Sequence, residues 1–247
     1  MMRRILVISL TSVLVAGSAY GIVIRHDRPD AQYKRVGASY PMVCRVGQGM
    51  GTLIDSMWVL TSASAAKTLP SDSLTVTFGR RVIPVSHVVY HPQYSAETHA
   101  HDLALVRLKF SVTLFYAAFP YTGRDEWGEM ATLVGDGETG DGLTGGQPGK
   151  RVMRAAYNRV DSSWTGWLRF TFNKPPAGDT LEGIGDEGDE GGPAARYHGD
   201  SLMVLGVYSH SKEATNGRYG TQAYYTRISD EVEWLRSVIA GSPPGKQ

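Results

Sequence analysis

Two acidic residues that lie far apart in the sequence, Asp102 and Glu190, carry side chains suited to acid–base chemistry. A pair of carboxyl groups can serve as general acid and base on a glycosidic bond. His99 and His101 offer a second possibility, because alternate residues of a strand share a face and imidazoles bind metal ions. Nothing else in the sequence indicates a sugar cleft, and His101 belongs with Asp102 to a longer pattern. We therefore predict neither a glycosidase nor a metal site, and no cofactor.

That longer pattern consists of three segments. Residues 58–65 read W-V-L-T-S-A-S-A, residues 101–105 read H-D-L-A-L, and residues 188–193 read G-D-E-G-G-P. In this order they resemble the W-V-L-T-A-A-H-C, H-D-[IL]-A-L and G-D-S-G-G-P signatures of trypsin-like serine peptidases. The chain is similar to bacterial members of that family that lack disulfides, but its catalytic triad is degenerate.

The resemblance implies a role for each altered position. Asp102 stands at the triad aspartate, Ser64 at the triad histidine and Glu190 at the nucleophilic serine, while the N–H groups of Gly188 and Glu190 would form the oxyanion hole. Acyl transfer needs a base that accepts a proton near neutral pH, which a serine does not supply. Loss of a triad member lowers turnover by roughly 10⁴- to 10⁶-fold. We therefore predict a pseudopeptidase.

Two poses of the Glu190 carboxylate follow from the residue types. It can fold back into the oxyanion hole, because clustered backbone N–H groups attract anions. Alternatively, it can enter the space of the missing imidazole and accept a hydrogen bond from Ser64, close to Asp102. In that second pose the pKa of one carboxyl group would rise.

The N-terminus has the pattern of a signal peptide. Arg3 and Arg4 precede an apolar stretch over residues 5–16, and small residues at 19 and 21 predict cleavage before Ile22. The mature protein is then secreted or periplasmic, without a membrane segment. The resemblance further implies that the new ammonium group of Ile22 pairs with Asp189. The alternatives are an uncleaved anchor and an Asp189 that only caps a turn.

The same resemblance places a substrate cleft. Ser209, His210 and Ser211 match the family's substrate-edge segment, which pairs with an extended peptide, and Ile184 falls at the base of the specificity pocket. An apolar residue there would not select Lys or Arg. His210 is either a wall residue or a substitute base.

Composition sets further limits. A net charge of +1 gives no indication of a nucleic-acid partner. Cys44 is the single cysteine, so that no intramolecular disulfide can form. A chain of 247 residues can bury enough apolar surface to fold without one.

Short strands between turn residues predict an all-β fold. The resemblance implies two six-stranded antiparallel β-barrels packed together, with a short C-terminal helix. The expected parts are a signal peptide (1–21), a peptidase-like domain (22–240) with barrel halves at about 22–119 and 121–228 and a helix at 229–239 that Ser229 caps, and a polar tail (241–247).

We expect this exported homologue to bind a peptide or protein partner without hydrolysing it. Two other functions remain open. One is a serine-type endopeptidase whose activity is residual or uses non-standard groups, and the other is a structural or decoy envelope protein.

Overall fold

The computed structural model describes residues 22–114, 116–137, 140–147, 149–212 and 217–241. The elements, in chain order, are β1 (Val23–Ile24), α1 (Asp30–Gly37), β2 (Val43–Val46), β3 (Gly49–Asp55), β4 (Trp58–Thr61), α2 (Ala63–Ala66), β5 (Thr75–Phe78), β6 (Arg81–Tyr90), β7 (Ala104–Leu108), β8 (Phe119–Pro120), β9 (Met130–Gly135), β10 (Gly140–Asp141), β11 (Gly145–Gly146), β12 (Arg154–Arg159), β13 (Ser162–Trp164), β14 (Trp167–Thr171), β15 (Gly183–Ile184), β16 (Pro193–His198), β17 (Ser201–Ser211), β18 (Gln222–Arg227), a 3-10 turn (Ile228–Asp230) and α3 (Val232–Ile239).

Six strands of the N-terminal half form a closed antiparallel barrel, in the order β2-β3-β4-β7-β6-β5. Strand β5 has the alternation of a half-buried strand, because Val76 and Phe78 face the core while their neighbours are half-buried. Leu60 and Leu105 are fully buried inside this barrel. The closed ladder fixes the ends of β4 and β7, which carry the segments of Ser64 and Asp102.

The C-terminal half differs from the expected second barrel. Most of its strands form one curled sheet in the order β12-β9-β16-β17-β18-β14-β13, with β8 parallel to β17. Strands β10, β11 and β15 instead join β1 in a small sheet in the order β11-β10-β1-β15. No backbone ladder joins β12 to β14 within the described residues. The side-chain amide of Asn158 bridges this gap, donating to the carbonyl oxygens of Thr171 at 3.2 Å and Gly183 at 2.9 Å. A side chain thus takes over part of the closure that strand pairing would provide.

Helix α1 is not among the predicted elements. It packs on β12, where the buried Arg154 guanidinium donates to both carboxylate oxygens of Asp30, at 2.6 and 3.1 Å. Asp30 also pairs with Lys34 one turn later. An acidic first turn after Pro29, with basic residues four and five positions on, was the available helix signal.

The C-terminal helix is present but begins later than expected. Residues 228–230 form a 3-10 turn, and α3 starts at Val232. Ser229 does not cap it, because its hydroxyl donates to Glu126 at 2.7 Å. Among the described residues, no helix is long and apolar enough to cross a membrane. The predicted signal peptide and residues 242–247 of the predicted tail lie outside the described residues.

Candidate functional site

Asp102 is presented by a tight turn at the entrance to β7. The preceding residue, His101, has φ +50°, in the left-handed region that non-glycine residues rarely adopt. Its carbonyl oxygen accepts a bond from Leu103 N at 2.7 Å. The turn directs the carboxylate inward, where Asp102 is fully buried. A buried carboxylate must be hydrogen-bonded, and this one accepts three bonds.

Serine residues supply all three of these bonds. Ser64 donates twice, from its backbone N at 2.8 Å and its hydroxyl at 2.9 Å, and the Ser209 hydroxyl donates at 2.7 Å. Ser64 lies in the first turn of α2, whose N-terminal N–H groups need acceptors outside the helix. In the described part of the chain, no imidazole contacts Asp102. The triad aspartate position is therefore satisfied by hydroxyl and amide donors, with no base beside it.

A histidine pair clamps this turn to the start of α3. Glu231 accepts from His101 Nδ1 at 2.7 Å and pairs with His91 Nε2 at 3.1 Å, and the two rings stack 4.6 Å apart at 6°. The ligand atoms of His91, His101 and Glu231 lie within 4.8 Å of one another, but both ring nitrogens are engaged with the oxygens of the Glu231 carboxylate. His91 Nδ1 accepts from Gln93 N, which places the His91 proton on Nε2, facing Glu231. The cluster is thus a hydrogen-bonded clamp.

His99 lies apart from this clamp. Residues 99–101 form a turn rather than a strand, and the His99 ring stacks on His210 at 4.2 Å while His101 turns to Glu231. The shared face that alternation on a strand would give to His99 and His101 is therefore not formed.

Glu190 adopts the first of the two poses. Its Oε2 accepts from Gly188 N at 2.8 Å, so the carboxyl group fills the position that the resemblance assigns to an oxyanion. Gly188 has φ +89°, which aims this N–H at the side chain two residues later and favours glycine. The hydrogen of Ser64 Oγ is directed to Asp102 or Ser62 instead. The alternative pose, with Glu190 bonded to Ser64 near Asp102, is not formed.

Burial changes the protonation of this loop. It raises the pKa of Glu190 to about 7, against the opposing effect of the N–H groups of Glu190 itself and Gly188. Burial likewise raises the pKa of Asp186 to about 6, and that of Asp189 well above its usual range. The loop therefore holds three acidic groups that bind protons more tightly than in water.

Asp189 has no cationic partner among the residues that the structure describes. Its oxygens accept only long bonds, from Asp186 N at 3.3 Å and Gly137 N at 3.4 Å. Ile22 is buried and precedes β1, which pairs with β15. Because Gly21 precedes it, Ile22 has no ammonium group in the uncut chain, so the predicted Ile22–Asp189 ion pair stays a prediction that requires cleavage. The alternative, in which Asp189 only caps a turn, likewise stays a prediction.

Sequence reasoning missed an arginine that supports this loop. Arg151 donates to the carbonyl oxygens of Gly188 at 3.3 Å and Gln48 at 3.0 Å. It also pairs with Asp136, a buried carboxylate that Arg45 contacts from the other side. Residues 135–140 read G-D-G-E-T-G and resemble the family's G-W-G-x-T-G segment, with Asp136 in place of the tryptophan. This charge at an otherwise apolar position was the signal for an arginine partner.

The predicted substrate edge lies at the end of β17. Beyond Tyr208, this strand pairs with β18 on one side, and no described strand pairs with Ser209–Ser211 on the other. His210 is covered on both faces, by His99 and by Tyr224 at 5.1 Å. Burial lowers the pKa of His210 to about 4, with a smaller contribution from the nearby His99. This weak base stays neutral at neutral pH, which favours a wall role over that of a substitute base.

Ile184, predicted at the base of the specificity pocket, is fully buried. It belongs to β15, where it pairs with Val23 of β1. Its side chain packs in the core cluster of the second half with Phe170, Tyr208 and Tyr225.

Comparisons with known proteins agree with this architecture. The family model described as Trypsin matches residues 35–235. Vitamin K-dependent protein C of Rattus norvegicus is 25% identical over 214 residues, or 76% of this chain and 45% of that protein. The chain thus spans less than half the length of this relative.

A solved structure titled neuropsin, a serine protease expressed in the limbic system of mouse brain, superposes with a TM-score of 0.65. Its sequence is 20% identical, and the match covers 87% of this chain and 98% of that one, which supports the chymotrypsin-like fold alone. Because the family model covers most of the chain, the assignment does not depend on either relative. The chain belongs to the trypsin family, whose members are serine-type endopeptidases.

Proposed function

We propose that this chain is an exported trypsin-family protein that does not hydrolyse peptides and instead binds an extended peptide or protein segment. The observation that carries the proposal is the Glu190 carboxyl group on Gly188 N, where a reacting carbonyl oxygen would need to sit. The hydroxyls of Ser64 and Ser209 on Asp102 add support, because neither supplies a base.

The unpaired edge at Ser209–Ser211 is the binding surface in this proposal. An extended peptide adds to such an edge through main-chain hydrogen bonds, as an extra strand. Backbone groups at an open edge are also the groups most in need of partners. The proposed partner is therefore recognised mainly by its backbone.

Peptide binding without cleavage is the expected outcome in solution. Six-residue peptides should bind the chain while mass spectrometry finds no products. In a series in which one backbone nitrogen at a time is methylated, affinity should fall about tenfold or more at alternate positions only, because alternate N–H groups of a strand face the edge. The unmethylated peptide of the same composition is the control.

Two other results would replace this proposal. Cleavage by the unaltered chain, lost in Glu190→Ala, would establish a working hydrolase with a non-standard catalytic group. Failure of all peptides to bind would favour a structural or decoy role in the envelope.

Cleavage before Ile22 is a separate part of the proposal. Val23 Cγ2 and Asp186 Oδ2 both lie against Gly217, within 2.5 and 2.7 Å of the position that a Cβ would take there. A new ammonium at Ile22 would thus start next to the acidic 186–190 loop. Asp186 Oδ2 is buried and accepts no hydrogen bond among the described groups.

A free amine at Ile22 is expected to stabilise the protein. The free energy of unfolding of chain 22–247 should be about 2 kcal/mol larger with a free N-terminus than with an acetylated one, because a buried carboxylate gains a cation. This difference corresponds to a Tm that is roughly 4–8 °C higher. Asp189→Asn should abolish the difference if the cation lies on Asp189 as the family resemblance implies, whereas loss of the difference in Asp186→Asn alone would assign the cation to Asp186 Oδ2. Equal Tm values for the free and acetylated chains would contradict the ion pair. N-terminal sequencing of the exported protein tests the cleavage site itself.

A further inference from the structure

Tyr208 lies between two segments of the expected cleft, which we treat as the walls of its side-chain pocket. One wall is residues 184–186, which begin at the end of β15 with Ile184, the residue that the family resemblance places at the pocket base, and the other is Ser209–Ser211, the expected substrate edge at the end of β17. The Tyr208 hydroxyl is 2.9 Å from Ser211 Oγ, which in turn donates to the carbonyl oxygen of Gly185 at 3.4 Å. One phenol group therefore connects both walls.

The ring of Tyr208 fills the space between these walls. A Cβ added at Gly185 would lie 3.5 Å from two ring carbons of Tyr208 and 3.0 Å from the hydroxyl of Tyr225. The two tyrosine rings are 5.2 Å apart. Tyr208 is only 2% exposed and Tyr225 only 1%. The wall at Gly185 is thus already in van der Waals contact with a side chain of the protein itself.

The backbone of Tyr208 joins this ring to the Glu190 loop. Tyr208 N donates to Gly192 O, and its carbonyl oxygen accepts from Gly191 N, both at 2.8 Å. The side chain cannot swing away without breaking contacts on both walls, and its buried hydroxyl would then lose its partner.

We propose that Tyr208 is an internal plug that closes the side-chain pocket of the cleft. This inference rests on the proposed function and specifies its ligand class. The chain binds an extended segment through the backbone at Ser209–Ser211, without selecting the side chain that would enter a pocket in an open cleft. A glycine or any side chain that stays in solvent is accepted there.

The plug predicts how selectivity changes when the ring is removed. Capped six-residue peptides that differ only at one position, as Gly, Leu, Phe or Lys, should bind the unaltered chain with Kd values within about threefold of one another, because nothing reads that side chain. In Tyr208→Ala, the Phe peptide should bind at least tenfold more tightly than the Gly peptide, since its ring replaces the missing phenol. Isothermal calorimetry measures both series.

A matched control separates a pocket that opens on the cleft from an ordinary core cavity. Tyr33 is fully buried and belongs to the same core cluster, but its hydroxyl bonds to Glu182 O near α1. Tyr33→Ala removes the same atoms, and the Kd values of the four peptides should stay within about threefold of one another. Tyr208→Phe keeps the ring and should also stay unselective. Tyr208→Val, which retains strand propensity, replaces the alanine variant if that variant does not fold.

A second ligand keeps the test independent of peptide binding by the unaltered chain. N-acetyl-phenylalanine amide should bind Tyr208→Ala and neither Tyr33→Ala nor the unaltered chain, because only a pocket open to the cleft admits a ring with a main chain attached. If this binding is seen while no peptide binds the unaltered chain, the proposed function fails and the plug stands. Tenfold discrimination among the peptides by the unaltered chain would overturn the plug, as would a Tyr208→Ala variant that gains neither selectivity nor the small ligand.

Discussion

The double variant Ser64→His/Glu190→Ser is expected to hydrolyse the p-nitrophenyl ester of N-acetylglycine on the order of 10³-fold faster than the unaltered chain. The change supplies both groups that acyl transfer needs and that the chain lacks. Asp102 is already buried and positioned to accept a bond from a side chain at position 64. Removing the Glu190 carboxyl group also frees Gly188 N for an oxyanion.

The choice of substrate follows from the closed pocket. A glycine ester needs no side-chain pocket, so that the Tyr208 ring does not interfere with this reaction. Adding Tyr208→Val to the double variant should extend hydrolysis to the phenylalanine ester. The measurement is release of p-nitrophenol under single-turnover and steady-state conditions.

Two controls define what the result means. Ser64→His/Glu190→Ala has the base and the open oxyanion hole but no nucleophile, and should remain near the rate of the unaltered chain. Adding Asp102→Asn to the double variant should return its rate to near that of the alanine control, because the imidazole then takes the wrong tautomer. A double variant no faster than the alanine control would show that the scaffold no longer positions the triad.

The pH dependence of stability should change in Glu190→Gln. The pKa of Glu190 is about 7 in the folded protein, raised by burial, and near 4.5 when the chain unfolds. The folded state thus binds this proton more tightly than the unfolded state between these values. Its free energy of unfolding should therefore fall as pH rises from about 4.5 through 7.

Glutamine keeps the shape of the side chain and cannot ionise. At pH 8, Glu190→Gln should be more stable than the unaltered chain by about 2–3 kcal/mol, allowing for partial solvent access, and the two should be nearly equal at pH 4. Some slope should remain, because Asp186 and Asp189 also have raised pKa values. Urea denaturation across this pH range measures the effect.

Glu187→Gln is the matched control, because this exposed side chain lies in the same loop. Its stability curve should keep the fall between about pH 4.5 and 7, with a slightly smaller amplitude because the Glu187 charge adds to the raised pKa of Glu190 and Asp186. Parallel curves for Glu190→Gln and the unaltered chain would mean that the carboxyl group is solvated and has left Gly188 N.

The sequence by itself determined the family and the absence of two of the three catalytic side chains. The signature segments are recognisable in the sequence because each encodes a local strand or turn. The loss of a base at Ser64 and of a hydroxyl nucleophile at Glu190 follows from residue type alone. The first barrel was expected from the family resemblance, and the period-2 alternation of β5 agrees with a strand that has one buried face.

Only the tertiary structure decided how the remaining groups are used. The pose of Glu190 depends on Gly188 N, the Ser209 bond to Asp102 joins residues 107 positions apart, and the clamp at Glu231 joins residues 130 apart. The open second sheet, α1 and the Tyr208 ring between two walls likewise depend on contacts between distant segments. A buried polar group takes whichever partner the packing brings within reach, and residue type alone does not specify that partner.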